Sequence, residues 1–110
     1  MSVLYVVATP IGNLSDISQR ASDTLRMVDL IAAEDTRRTS ILLKHLGIEK
    51  KEIISFHKFN ETEKTPQLLA RLREGETVAV VSDAGTPLIS DPGFSIVREA
   101  WLQQIKISPV

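Results

Sequence analysis

The segment from Val78 to Gly93, VAVVSDAGTPLISDPG, holds the densest collection of groups able to do chemistry: an apolar, β-branched run opens directly into a loop of Asp, Gly and Pro. Open parallel sheets leave a crevice beyond the carboxyl ends of their strands, where loops offer backbone amides and carboxylates to a ligand. Gly85 lets the backbone come close to a bound molecule because no Cβ intervenes. Pro87 and Pro92 fix their own φ angles and push Thr86 and Asp91 toward extended geometry, so the loop is expected to be stiff and to lose little entropy on binding. Asp83 and Asp91 could ligate a hard cation, but their spacing matches no calcium loop, and capping of the next helix accounts for Asp91 before Pro92. The expected ligand is organic, with hydroxyls or positive charge, and no metal is predicted.

Two further clusters stand at positions where strands should end. Glu34-Asp35-Thr36-Arg37-Arg38 surrounds a hydroxyl with four charged groups and could hold a substrate. Capping by Asp35 and plain solvation of Arg37 and Arg38 would explain the same residues. Arg37, Arg38, Lys44, His45, Lys50 and Lys51 put a basic excess near one helix, and the guanidinium fork suits phosphate. His57, in Ser55-Phe56-His57-Lys58, is expected on the crevice side, whereas His45 is expected on a helix surface. Thr9-Pro10-Ile11-Gly12-Asn13-Leu14 joins a rigid Pro to one permissive Gly, which is also what a tight strand-to-helix turn requires. Neither G-x-G-x-x-G after the first strand nor a P-loop occurs, so ordinary dinucleotide and P-loop nucleotide sites are not expected.

Positioning these groups requires a regular alternation of strands and helices, and the sequence supplies one. Val3 to Ala8 reads as a strand covered on both faces. Ile17, Ala21, Leu25 and Val28 follow at helical spacing, with Ser15 or Asp16 able to cap the start. Asp29 to Ala33 is a second strand, and Thr36 to Leu46 a helix with Ile41, Leu42 and Leu46 on one face, ending at Gly47. Ile53 to Phe56 makes a third strand, and Asn60 to Arg73 a helix carrying Leu68, Leu69 and Leu72. Pro66 either opens that helix behind Thr65 or sits early in a longer one capped by Asn60 with Glu63. Val78 to Val81 is the fourth strand, Phe94 to Gln104 a helix with Phe94, Val97 and Trp101 inward, and Ile105 to Val110 the start of a fifth strand. The pattern predicts an α/β domain with a mostly parallel five-stranded sheet and helices on both faces.

With 110 residues, 43% of them hydrophobic, the chain is one domain's worth. A net charge of -1 and a pI near 6.1 exclude a histone-like basic binder and leave room for a local basic patch. The absence of cysteine excludes disulfides and thiolate metal sites and is consistent with a cytoplasmic, reducing location. No apolar run is long enough to span a membrane, and the first ten residues lack the pattern of a signal peptide. No repeat, low-complexity stretch or linker interrupts the chain, and Ser108-Pro109-Val110 reads as a strand that should lead into another loop.

LYVVATPIGNL, AAEDTRRTSILLKHLGI, SFHKFNE and VAVVSDAGTPLISDPG together resemble the bacterial ribosomal RNA small-subunit methyltransferase I family, 2′-O-methyltransferases of the tetrapyrrole methylase, or class III, superfamily. The resemblance spans essentially the whole chain through four separated motifs. It implies S-adenosylmethionine-dependent methylation of a cytidine ribose 2′-hydroxyl in the decoding region of 16S rRNA in the small ribosomal subunit, by a cytoplasmic, homodimeric enzyme of two α/β domains with the cofactor in the cleft between them. Residues 1–110 would be the amino-terminal domain alone, and the isolated chain is expected to be inactive. Carried over, the turn holding Pro10 and Gly12 lies at the cleft floor, Asp83, Ala84, Gly85, Thr86 and Pro87 stand where the superfamily holds the cofactor, and Arg37 and Arg38 face RNA. A general base would help deprotonate the ribose hydroxyl, and Asp35, His57 and Asp83 are the candidates. Two other readings are a methyltransferase acting on a tetrapyrrole precursor and a non-catalytic nucleotide-binding module with a flavodoxin-like sheet. The first would share the cofactor cleft; the second would bind a flavin or nucleotide instead.

Overall fold

The computed structural model describes residues 2–10, 14–83 and 92–110, with 83 and 92–94 described by their backbone alone. Five strands alternate with four helices: β1 (Val3–Thr9), α1 (Gln19–Met27), β2 (Leu30–Ala33), α2 (Thr36–His45), β3 (Glu52–Ser55), α3 (Glu61–Arg73), β4 (Val78–Asp83), α4 (Pro92–Leu102) and β5 (Lys106–Pro109), with a 3-10 turn at Leu14–Asp16. The sheet is entirely parallel in the order β3-β2-β4-β1-β5. Every residue of β2 is buried, as expected of a short apolar strand covered on both faces.

Chain order in the sheet dictates where the helices go. From β1 the chain moves one way to β2 and β3, then reverses to insert β4 and add β5. With right-handed crossovers, that reversal puts α1 and α2 on one face and α3 and α4 on the other. The packing agrees. Leu68, Leu69 and Leu72 of α3 and Ile96 and Ala100 of α4 share a core with Leu4, Leu30, Ala32, Val78 and Val80. Ala21 and Leu25 of α1 and Leu42 and Leu43 of α2 share the other with Val7, Ile31, Ala33, Ala79 and Val81. The flavodoxin order is 2-1-3-4-5, so this sheet does not have the flavodoxin topology that the nucleotide-module reading required.

Several local expectations change in detail. The cap of α1 is Ser18, whose Oγ accepts the Ala21 N–H at 3.1 Å, rather than Ser15 or Asp16. Ile41 is exposed, because α2 packs through Thr39, Leu42 and Leu43. Trp101 is 73% exposed: α4 buries Ile96 and Ala100, a face rotated by about one residue from the expected Phe94, Val97 and Trp101. Only Val97 of that trio is seen packed against the core, the Phe94 side chain lying outside the described residues. Pro66 lies within the longer of its two alternatives, a helix beginning at Glu61 behind Asn60, but the Asn60 side chain makes no cap hydrogen bond to α3.

Candidate functional site

The connection leaving β4 crosses the opposite face from those leaving its neighbours β1 and β2. Strand exits that diverge in this way open a crevice at their carboxyl ends. Around it stand the ends of β1, β2, β3 and β4, where the TPIGN, EDTRR, SFHK and Asp-Gly-Pro segments begin in the sequence.

The β1 and β4 exits are tied together. Thr9 pairs in register with Asp83, and the buried Thr9 Oγ1 donates to the Ser82 carbonyl at 2.9 Å. The Ser82 Oγ is itself buried without a hydrogen-bond partner in the structure. An orphaned hydroxyl beside the start of the Asp-Gly-Pro loop marks this end of an otherwise apolar sheet as polar, which fits a polar ligand over the β1 and β4 ends.

The β2 exit feeds α2. Asp35 caps it, accepting the Arg38 backbone N–H at 3.0 Å, so the capping explanation of this residue holds. The Arg38 guanidinium donates to the Pro10 carbonyl at 3.2 Å and so links α2 to the loop after β1. Arg37 is exposed and Arg38 half-buried. The two arginines of one motif thus have different work: Arg38 braces the loop beside the crevice, and Arg37 offers its charge to solvent.

At the β3 exit, Phe56 is buried and donates its N–H to the Ala33 carbonyl at 2.9 Å, which sets this turn beside the EDTRR cluster. Asn60 shapes the turn: its Oδ1 accepts the His57 N–H at 2.8 Å and its Nδ2 donates to the Ser55 carbonyl at 3.1 Å. His57 Nδ1 accepts the Phe59 N–H at 3.1 Å. A neutral imidazole accepting at Nδ1 carries its proton on Nε2, so taking a proton at Nδ1 would cost His57 that backbone bond. The role of Asn60 was not legible from the sequence, where it reads as a cap for the helix that follows.

Gly12, Ala84, Gly85, Thr86, Pro87 and Asp91 lie outside the described residues, as does the Asp83 side chain. The basic residues near α2 do not form one patch. Arg37 and Arg38 sit where α2 begins, at the carboxyl ends of the strands, while Lys44 and His45 sit where it ends. Lys51 is occupied, its Nζ donating to the carbonyls of Arg26 at 2.9 Å and of Val28.

Among the described residues, the ionisable groups whose pKa values are shifted lie at the amino ends of the strands, away from the crevice. Arg71 pairs with Glu76 and, at 2.9 and 3.2 Å, with Glu52; these bonds lower both carboxyl pKa values and raise that of the guanidinium. Asp29 is held below the usual carboxylate range by the Thr77 N–H at 2.8 Å and the Thr77 Oγ1–H at 3.1 Å. Each pair joins neighbouring elements, so this network is structural. No cluster of metal-ligating side chains occurs among the described residues, and none of their helices is long and apolar enough to cross a membrane.

The profile of the Tetrapyrrole (Corrin/Porphyrin) Methylases matches residues 3–110. The chain is 55% identical over 108 residues to a Haemophilus influenzae protein named ribosomal RNA small subunit methyltransferase I, covering 98% of this chain and 38% of the relative. A Thermotoga maritima protein of the same name is 52% identical, with all of this chain and 49% of the relative covered. The chain therefore spans less than half the length of these relatives. Among solved structures, diphthine synthase superposes with a TM-score of 0.76 at 18% identity, over 98% of this chain and 43% of that one. A uroporphyrin-III-C-methyltransferase from Thermus thermophilus superposes with a TM-score of 0.71 at 18% identity, over 98% and 46%. At such identities the superpositions speak to the fold alone.

Proposed function

Because the chain belongs to the tetrapyrrole (corrin/porphyrin) methylase family, we propose that it is the amino-terminal domain of a two-domain, S-adenosylmethionine-dependent enzyme that methylates a cytidine ribose 2′-hydroxyl in the decoding region of 16S rRNA. The observation carrying this reading is identity of 49 to 55% along essentially the whole chain to proteins named ribosomal RNA small subunit methyltransferase I. The activity belongs to the complete cytoplasmic enzyme, a homodimer acting on the small ribosomal subunit, and the 110-residue domain alone is inactive.

S-adenosylmethionine supplies a methyl group already activated on a sulfonium, so the chain's own task is mainly to align and desolvate the reactants. The turn holding Pro10 and Gly12 and the Asp83 to Pro87 turn would hold the cofactor; they follow β1 and β4, whose ends the Thr9 to Ser82 bond ties together. Arg38 holds the first of these turns in place through the Pro10 carbonyl. Arg37 contacts RNA phosphate. The ribose hydroxyl proton passes to one of the three candidate bases, Asp35, His57 or Asp83.

The competing substrate is a tetrapyrrole precursor, and a paired assay separates the two. Full-length protein with methyl-labelled cofactor is expected to label 16S rRNA in 30S subunits from cells lacking the modification and to leave a porphyrinogen unlabelled. Label in the porphyrinogen alone overturns the reading.

A further inference from the structure

The turn after β3 places a large aromatic ring outside both hydrophobic cores. Phe59 is 85% exposed and belongs to neither core. Leaving an aromatic ring in water forfeits the stabilisation that burial would bring, yet the backbone beneath it is fixed through Asn60, which bonds His57 and Ser55. His57 meets the ring edge-on, with centroids 6.0 Å apart and planes at 66°, and Lys58 Nζ lies 5.1 Å from the ring centroid. The turn is set beside the EDTRR cluster by the Phe56 to Ala33 backbone bond, which brings the exposed Arg37 to the same end of the sheet.

An exposed ring on a hydrogen-bonded turn, with a cation over one face and a second exposed cation at the same end of the sheet, has the composition of a single-strand RNA platform: a base stacks on the aromatic face and phosphates meet the cations. We propose that Phe59 is a stacking platform for an unstacked nucleobase of the RNA substrate, with Lys58 and Arg37 engaging the flanking phosphates. This assignment rests on the rRNA reading above and deepens it by naming a base-binding surface.

The test measures the affinity of full-length protein for 30S subunits across a salt series. Phe59→Ala is expected to weaken binding roughly 5- to 150-fold, the range spanned by one base–aromatic stack, while keeping the wild-type salt slope and thermal midpoint. Phe59→Trp should retain binding, because any flat aromatic surface serves. Lys58→Ala should instead lower the salt slope by about 1. A benzophenone side chain at position 59 should crosslink to 16S rRNA. Unchanged affinity in Phe59→Ala, no retention in Phe59→Trp, or crosslinks to ribosomal protein alone each overturn the platform while leaving methylation of rRNA intact. Wild-type protein that does not bind 30S subunits overturns both.

Discussion

Thr9 concentrates at one residue the demands of structure and site. Its hydroxyl is buried and donates to the Ser82 carbonyl, closing the β1 and β4 exits over which the ligand is proposed to sit. Thr9→Val keeps the shape and removes the donor, so denaturant unfolding should show a loss of about 1 kcal/mol, and calorimetry on the full-length protein should show weaker cofactor binding. A variant with wild-type stability and affinity would mean that the staple is incidental. Arg37 and Arg38 illustrate what could not be read in advance. Adjacent in sequence and identical in chemistry, they are told apart by burial and by the arrival of the Pro10 carbonyl from another loop. Arg37→Ala should therefore weaken 30S binding and lower its salt slope by about 1 with no change in stability, whereas Arg38→Ala should also destabilise the fold.

Element boundaries were legible because punctuation and periodicity agree. Gly47 and Gly75 follow α2 and α3 with φ of +74° and +97°, each inside a pair of C-terminal capping bonds such as Gly47 N–H to Lys44 O and Ile48 N–H to Leu43 O. The same closure ends α4, but Gln104 takes the left-handed place with φ of +61°. A side chain there costs about 1 kcal/mol or more, partly offset by the greater unfolded-state freedom of glycine. Gln104→Gly is accordingly expected to stabilise the chain by about 0.5 kcal/mol in denaturant unfolding, with destabilisation as the contrary result. Helix phase was less legible. Apolar spacing pointed Ile41 and Trp101 inward, but α2 turns Thr39 and Leu43 to the sheet, and the small Ala100 admits close approach of α4, leaving Trp101 outside. The faces of a helix with several apolar residues are decided by fit against the sheet, which periodicity does not contain.

The whole molecule is polarised, with structural charge at the amino ends of the strands and the candidate chemistry at the carboxyl ends. Asp29, Glu52 and Glu76 have carboxyl pKa values lowered by their partners. Their contribution to stability is thus complete above the unfolded values, near 4, and is lost as pH falls through the lower folded values. The thermal midpoint should drop as pH falls below about 4, and Arg71→Met, which removes the partner of both glutamates, should make that drop shallower; an unaltered acid slope would remove this role. The α/β class, the parallel sheet and the clustering of four motifs at one end followed from the alternation of elements. Strand order, which sets the crevice beside β4, did not, because it depends on pairings between strands far apart in sequence. The most direct test of the account is hydrogen exchange of the full-length protein with and without saturating S-adenosylmethionine. Slowed exchange at residues 9–14 and 82–87, with the amides of Asp29 and Thr77 unaffected, is the predicted result. Protection confined to the amino ends, or none at millimolar cofactor, would contradict the assignment of the carboxyl ends as the cofactor floor.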